Sequence, residues 1–136
     1  MRVVQGMLEA RSRSRFDIVD VTGEVEKWLA QIKAGNGVLV VYTPHTTAAL
    51  AINEREEGLL DDIVELLKEL TKPERRWKHN LVDDNAHAHL GNVIVGGDKV
   101  IPVSDGRLAL GTWQRLLLLE LDGPRVRRIN LVYVGE

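Results

Sequence analysis

The 136-residue chain contains no cysteine. A disulfide framework, a thiolate nucleophile and a Cys-ligated zinc or iron–sulfur centre are thereby excluded. Aromatic residues make up only 4%, and there is no basic excess: 18 Lys and Arg face 20 Asp and Glu, a net −2. Such a balance, with so few rings to stack on bases, argues against a nucleic-acid partner. No apolar run approaches the roughly 18 residues of a membrane span. Met1 to Gly6 lacks the apolar stretch of a signal peptide. These absences predict a cytoplasmic protein without a membrane partner. Repeats, low-complexity tracts and long Gly/Ser/Pro linkers are also missing, so a single domain, 1–136, is expected. It is too short for a (β/α)₈ barrel, which takes about 200 residues or more.

Hydrophobic periodicity predicts two main helices. Val25, Trp28, Leu29 and Ile32 recur at i, i+3, i+4 and i+7, placing a helix over about Thr22 to Ala34, with Thr22 as N-cap and Gly35 as C-cap. Leu59, Leu60, Ile63, Val64, Leu67 and Leu70 form a second stripe over about Glu56 to Leu70, ended by Pro73. The rest reads as strands. Val38 to Tyr42 is continuously apolar, as in a central strand covered on both faces. Val93–Val95 and Lys99–Val103 flank Gly96-Gly97-Asp98 like a hairpin, and Asp105-Gly106 is a second hairpin turn. Leu116–Leu121 is another strand, and in Val126–Val134 the residues Ile129, Leu131 and Tyr133 alternate with Arg128, Asn130 and Val132. The fold class is therefore α+β with a largely antiparallel or mixed sheet. The last two strands are apolar enough that an unprotected edge would invite pairing between copies.

Several polar groups could carry chemistry. Of four histidines, His79, His87 and His89 lie close in sequence, and His45 opens a Thr-rich turn with Thr46 and Thr47. In a strand, His87 and His89 would share a face. Three neutral imidazoles can hold a divalent ion and leave a position open, although no local spacing matches a zinc motif and hydrogen-bonded histidines are the plainer reading. Asp83, Asp84 and Asn85 form a polar loop able to orient imidazoles. Glu54, Asp61 and Asp62 flank the start of the second helix, where acidic groups meet the dipole favourably; they could also do acid/base work. Gly111-Thr112-Trp113-Gln114 combines close backbone approach, a hydroxyl, an indole and an amide, a set suited to a flat heterocycle. Arg107 and Arg125 flank it and could grip a phosphate. Arg11, Arg13 and Arg15 alternate along one side of an extended segment, as a charged edge or an anion-binding strip.

The blocks Tyr42-Thr43-Pro44-His45-Thr46-Thr47-Ala48-Ala49-Leu50, Ile52-Asn53-Glu54 and Asn85-Ala86-His87-Ala88-His89-Leu90 resemble the YjbQ family. So do Leu110-Gly111-Thr112-Trp113-Gln114 and Leu121-Asp122-Gly123-Pro124-Arg125. Members of that family are sometimes called secondary thiamine-phosphate synthases. The resemblance spans nearly the whole chain. It implies an α+β domain assembling as a homotrimer, with a site near a subunit boundary where His45, His79 and His89 gather around a divalent metal, zinc being the expected ion. His87 stands where many relatives carry a non-ligating residue. The implied reaction joins hydroxymethylpyrimidine diphosphate to thiazole phosphate and releases pyrophosphate. In that picture Glu54, Asp62 and Arg107 are catalytic. Thr46, Thr47, Asn85, Trp113, Gln114 and Arg125 bind the phosphorylated small-molecule substrate. The alternatives are a trimeric module that binds a metal or phosphometabolite without turnover, and a metal-dependent hydrolase of phosphorylated small molecules.

Overall fold

A computed structural model describes every residue from Met1 to Glu136. Eight strands and three α-helices follow one another as β1 (Arg2–Arg11), β2 (Asp17–Asp20), α1 (Thr22–Gln31), β3 (Gly37–Tyr42), β4 (Ala48–Asn53), α2 (Glu57–Thr71), α3 (Ala86–Val95), β5 (Asp98–Ser104), β6 (Arg107–Leu108), β7 (Arg115–Glu120) and β8 (Val126–Gly135), with a 3-10 turn at Lys78–Leu81 before α3. The strands form a five-stranded sheet, β1-β8-β3-β5-β6, and a three-stranded sheet, β2-β7-β4. Every pairing is antiparallel. The class is α+β, as the pattern predicts.

The order of layers explains the hydrophobic runs. One core lies between the sheets, where Leu39, Val41, Ile101, Ile129, Leu131 and Tyr133 of the larger meet Leu50, Leu116 and Leu118 of the smaller, with Val25 and Leu29 of α1 joining in. A second core lies behind the smaller sheet, where Ala49, Leu117, Leu119 and Leu121 pack against Leu67 of α2 and Ala88 of α3. Strand β7 is thus covered on both faces, which is why Leu116 to Leu119 are apolar without alternation. Neither β7 nor β8 is an edge, so the edge-pairing expectation drawn from their sequence does not hold.

Strand β3 departs from its reading. It is central, but only Leu39 and Val41 are buried; Val38 and Tyr42 on its other face are 41% and 48% exposed. Register places Val3, Val134, Val38 and Pro102 in one row across that face, and Gln5, Val132, Val40 and Val100 in the next. The larger sheet therefore carries an open, mainly apolar outer surface.

The expected hairpin at Gly96-Gly97-Asp98 is a helix-to-strand junction instead, because Val93–Val95 form the last turn of α3. Ten residues are enough for nearly three turns, and a short apolar run does not discriminate strand from helix. Gly96, at φ +93, turns the chain out of the helix and into β5. The Asp105-Gly106 turn is as expected, with both residues at positive φ, the type I′ geometry that suits the twist of a hairpin. Thr22 is not the N-cap of α1 but its first residue, since its Oγ1 accepts the Leu116 N–H at 2.8 Å. The helix stops at Gln31, short of Gly35, where Lys33 takes a positive φ. In α2 the N-cap is Glu56, whose carboxylate accepts the N–H groups of Gly58 and Leu59. No helix is long and apolar enough to cross a membrane.

Candidate functional site

Three segments meet at one end of the smaller sheet: the turn between β3 and β4, the turn between β7 and β8, and the start of α3. Their anchor is a buried ion pair. Glu120 ends β7 and Arg127 lies on the inward register of β8 with Ile129, Leu131 and Tyr133. The two side chains pair through both guanidinium contacts and are about 1% exposed. Arg127 also donates to the carbonyl and hydroxyl of Thr47, at 3.0 and 2.9 Å, and Ser12 donates to Glu120 at 2.7 Å. Burial by itself would raise the Glu120 pKa; the hydrogen bonds from Arg127, Ser12 and the Asp122 N–H outweigh it and hold the carboxyl below its ordinary value.

That anchor fixes the His45 turn. Asn92 of α3 donates to the Ala48 carbonyl at 2.8 Å and to that of His45 at 3.4 Å. The His45 Nε2 accepts the backbone N–H of Arg128 at 2.8 Å. Burial lowers the His45 pKa, and the Arg127 charge adds to this against opposition from Glu120. A neutral ring that accepts at Nε2 carries its proton on Nδ1, so neither nitrogen offers a free lone pair to an ion.

At the start of α3, Asn85 occupies the N-cap position but does not cap. Its amide nitrogen donates to Asp122 at 2.9 Å, and its oxygen faces the Nε2 of His79 at 3.0 Å. Arg125 closes over Asp122, donating to the carboxylate at 3.1 Å and to the Asp122 carbonyl at 2.9 Å. The His79 ring meets His89 edge-on, with centroids 4.6 Å apart. Both histidines line a cavity of about 650 Å³ with Arg75, Arg76, Trp77, Lys78, Ala86 and Leu90. Trp77 is pinned by its indole N–H, which donates to the Thr71 and Lys72 carbonyls, and Arg75 lies over its ring at 4.5 Å.

His87 and His89 do not share a face. On a helix, two positions apart means about 200° of rotation. His87 turns into the core, donates from Nε2 to the Leu121 carbonyl at 3.0 Å and packs against Phe16. Its buried Nδ1 has no partner. Of the predicted metal set, the fold brings His79 and His89 together, while the His45 ring is committed to Arg128. No group of three His, Asp or Glu side chains is placed to hold an ion within one chain. The residues thus do not fit a three-histidine zinc centre as they stand.

The other predicted residues divide between places. Asn85 and Arg125 belong to the histidine cluster as supports, and Thr47 serves Arg127; Thr46 is exposed beside them. Trp113 and Gln114 lie at the far end of β7, separated from Asp122 by at least ~20 Å of strand. Trp113 is 71% exposed, and the Gln114 side chain accepts the Gly111 N–H at 2.8 Å. They are not beside the histidines of their own chain, and Glu54 shares their end of the sheet because its neighbour Asn53 pairs with Arg115. Asp62 is exposed on α2. Arg107 bonds Glu26 of α1 at 3.3 Å, away from the cavity. The sequence reading overlooked Arg75, Arg76, Trp77 and Lys78, although a basic run with one indole directly ahead of His79 was the available signal. It also overlooked Arg127, whose odd number puts a cation on the inward register of β8.

A family model described as "UPF0047 protein YjbQ-like" matches residues 7–136. The chain belongs to the YjbQ-like UPF0047 family. A UPF0047 protein of Archaeoglobus fulgidus is 48% identical over 122 residues, covering 90% of this chain and 94% of that protein. The UPF0047 protein YugU of Bacillus subtilis is 33% identical, covering 94% and 97%. Among solved structures, a hypothetical protein of Aeropyrum pernix K1 superposes with a TM-score of 0.95 at 59% identity, over 98% of this chain and 99% of that one. A YbjQ-like protein of Sulfolobus solfataricus P2 gives 0.96 at 44% identity, over 99% of each.

Proposed function

We propose that this member of the family binds a phosphorylated small molecule in the cavity bounded by His79 and His89. The observation that carries the reading is the lining: Arg75, Arg76 and Lys78 converge on one cavity, beside the apolar Trp77 and Leu90, in a chain whose net charge is −2. None of the three cations is held in a salt bridge. Long-range attraction cannot bring an anion to an acidic protein, so local donors must do so. Guanidinium groups meet phosphate oxygens with paired N–H donors, and an apolar wall suits an organic remainder.

The thiamine-phosphate synthase reaction is the catalytic form of this proposal, because both its diphosphate reactant and its pyrophosphate product suit the same cations. A homotrimer is the proposed assembly, with the open apolar face of the larger sheet as the surface that copies cover. The test is calorimetry with inorganic phosphate, pyrophosphate and thiamine phosphate. Binding should be weakened about 10- to 150-fold in Arg76→Ala, the loss of one charged hydrogen bond worth ~1.5–3 kcal/mol. Absence of millimolar or tighter binding by all three would refute the reading.

A further inference from the structure

We propose that Nδ1 of His79 is a nucleophile that accepts a phosphoryl group from the ligand of this cavity, with Asn85 and Asp122 as its positioning residues. The proposal rests on the cavity being a phosphate site and adds a covalent step to it.

The argument starts from Asp122. A carboxylate only accepts, so the Asn85 group facing it at 2.9 Å is the amide NH₂. The other end of that amide, its oxygen, therefore faces His79 Nε2 at 3.0 Å. An oxygen can only accept there, so Nε2 carries a proton. In the neutral ring this leaves Nδ1 as the one basic atom. Asn85 is buried, and Asp122 is itself held by Arg125.

The other histidines lack this combination. His45 has the opposite tautomer, set by the Arg128 N–H. His87 has a bare Nδ1 but is 2% exposed, out of reach of a ligand. His89 lines the cavity, yet no protein group fixes its tautomer. Only His79 joins a fixed tautomer to a place in the cavity lining beside Arg75, Arg76 and Lys78, whose charges suit a phosphoryl group in transfer.

With a phosphate monoester, Nδ1 supplies the electron pair for a new N–P bond and the ester P–O bond breaks. The leaving oxygen takes the proton that the monoanionic phosphate group itself carries, so the step balances without a protein acid. The phosphorylated His79 ring keeps its Nε2 proton and becomes cationic. Asn85 accepts the hydrogen bond of that proton while donating to Asp122, and the carboxylate so polarises the amide toward the cationic ring. Water then attacks phosphorus, the N–P bond breaks, and inorganic phosphate leaves with the neutral ring restored.

The experiment uses phosphoramidate as a small donor, on the full chain with chelator present so that no ion occupies Nδ1. Phosphoramidate gives up its phosphoryl group and releases ammonia, which balances the same attack without an acid. The expected result is one acid-labile, base-stable phosphoryl group per chain. Mass spectrometry should map it to His79, and ³¹P NMR should assign it to Nδ1. His79→Gln should abolish the label. Asn85→Ala, once shown folded by circular dichroism, should lower the labelling rate at least 10-fold or spread the linkage over both ring nitrogens. If that variant does not fold, the linkage in the unaltered chain still decides. A label at Nε2, or spread over His45 and His89, overturns the proposal. Phosphate that binds by calorimetry without any label overturns the nucleophile but leaves the binding reading intact. Neither binding nor label overturns both.

Discussion

Asn85 donates to Asp122 at 2.9 Å, and this one contact decides which nitrogen of His79 carries the proton. The carboxylate orients the amide, and the amide oxygen accepts the hydrogen bond of the Nε2–H, so that in the neutral ring Nδ1 is the atom with the lone pair. His45, on the neighbouring turn, is set the opposite way by a backbone N–H. Two histidines implied as equivalent ligands thus present different atoms to their surroundings.

That difference predicts how zinc behaves. If an ion binds here, His79 and His89 are the residues that would hold it, with Asn85 supporting His79. An Asn85-type partner on the second nitrogen raises ligand basicity, and losing such support costs about 10- to 100-fold in metal affinity. Zinc titration should therefore show weakened binding in His79→Ala and His89→Ala, a loss of about that size in Asn85→Ala, and no change in His45→Ala. A zinc affinity that falls with His45→Ala as steeply as with His79→Ala would mean that the His45 ring leaves Arg128.

The Glu120–Arg127 pair makes a stability prediction. Removing one partner strands a buried charge, which costs about 3–5 kcal/mol. Arg127→Met should lower the urea midpoint accordingly and loosen the Thr47 turn, since Arg127 donates to it twice. Replacing both residues, Arg127→Met with Glu120→Leu, should recover most of the loss, because a well-packed apolar pair replaces a buried ion pair at little cost. A double variant no more stable than the single would show that Ser12 and Thr47, left without partners, matter as much as the charge.

Acid should destabilise the fold in two stages. His45 and His87 have pKa values lowered chiefly by burial, so the unfolded chain binds their protons first as pH falls. Their contribution is complete above about pH 6.5, the ordinary histidine value. It is lost between there and their lower folded values, because stability rises with pH wherever the unfolded state holds more protons. Asp20 and Glu120 are also lowered, against the effect of burial, by bonds from Arg115 and Thr22 and from Arg127 and Ser12. Their contribution is complete above about pH 4.3 and disappears beneath it. Urea midpoints from pH 8 to pH 3 should fall in these two windows. His45→Gln, which keeps a side-chain acceptor near Arg128 but does not titrate, should flatten the upper one.

The sequence made the class and strands β3, β5, β7 and β8 legible because their apolar patterns are strong, whereas β1, β2 and β4 were not read as strands. Helices α1 and α2 were legible for the same reason. It misassigned α3 because Ala86 to Val95 holds no Asp, Glu, Lys or Arg to reveal a helical stripe; with that went the faces of His87 and His89. Residues near the site were found where several polar types cluster, as at His79 to His89. They were missed in the basic run Arg75 to Lys78, and where an arginine takes the inward register of a strand, as Arg127 does. Trp113 and Gln114 look like site residues in sequence, yet their distance from the histidines follows from the straightness of β7, which only the pairing of Asn53 with Arg115 and Ala48 with Glu120 reveals.

Assembly is the remaining prediction. Val3, Met7, Val38, Tyr42 and Val100 are all exposed on the outer face of the larger sheet, and Val100 reaches 62%. A contiguous apolar surface of this kind on a small domain marks a contact site, and a stable contact needs about 800 Å² per partner. Four strands, β1, β8, β3 and β5, supply a face of suitable breadth. With a homotrimer as the proposed closed assembly, Val100→Glu together with Val38→Lys should shift sedimentation from trimer to monomer. Each residue is exposed in the single chain, so folding itself should change by only about ±0.5 kcal/mol per site. The unaltered protein sedimenting as a monomer at micromolar concentration would refute the trimer. A trimer that survives both charges would move the contact to the helical side, where Leu66, Leu70, Val93 and Ile94 are also exposed.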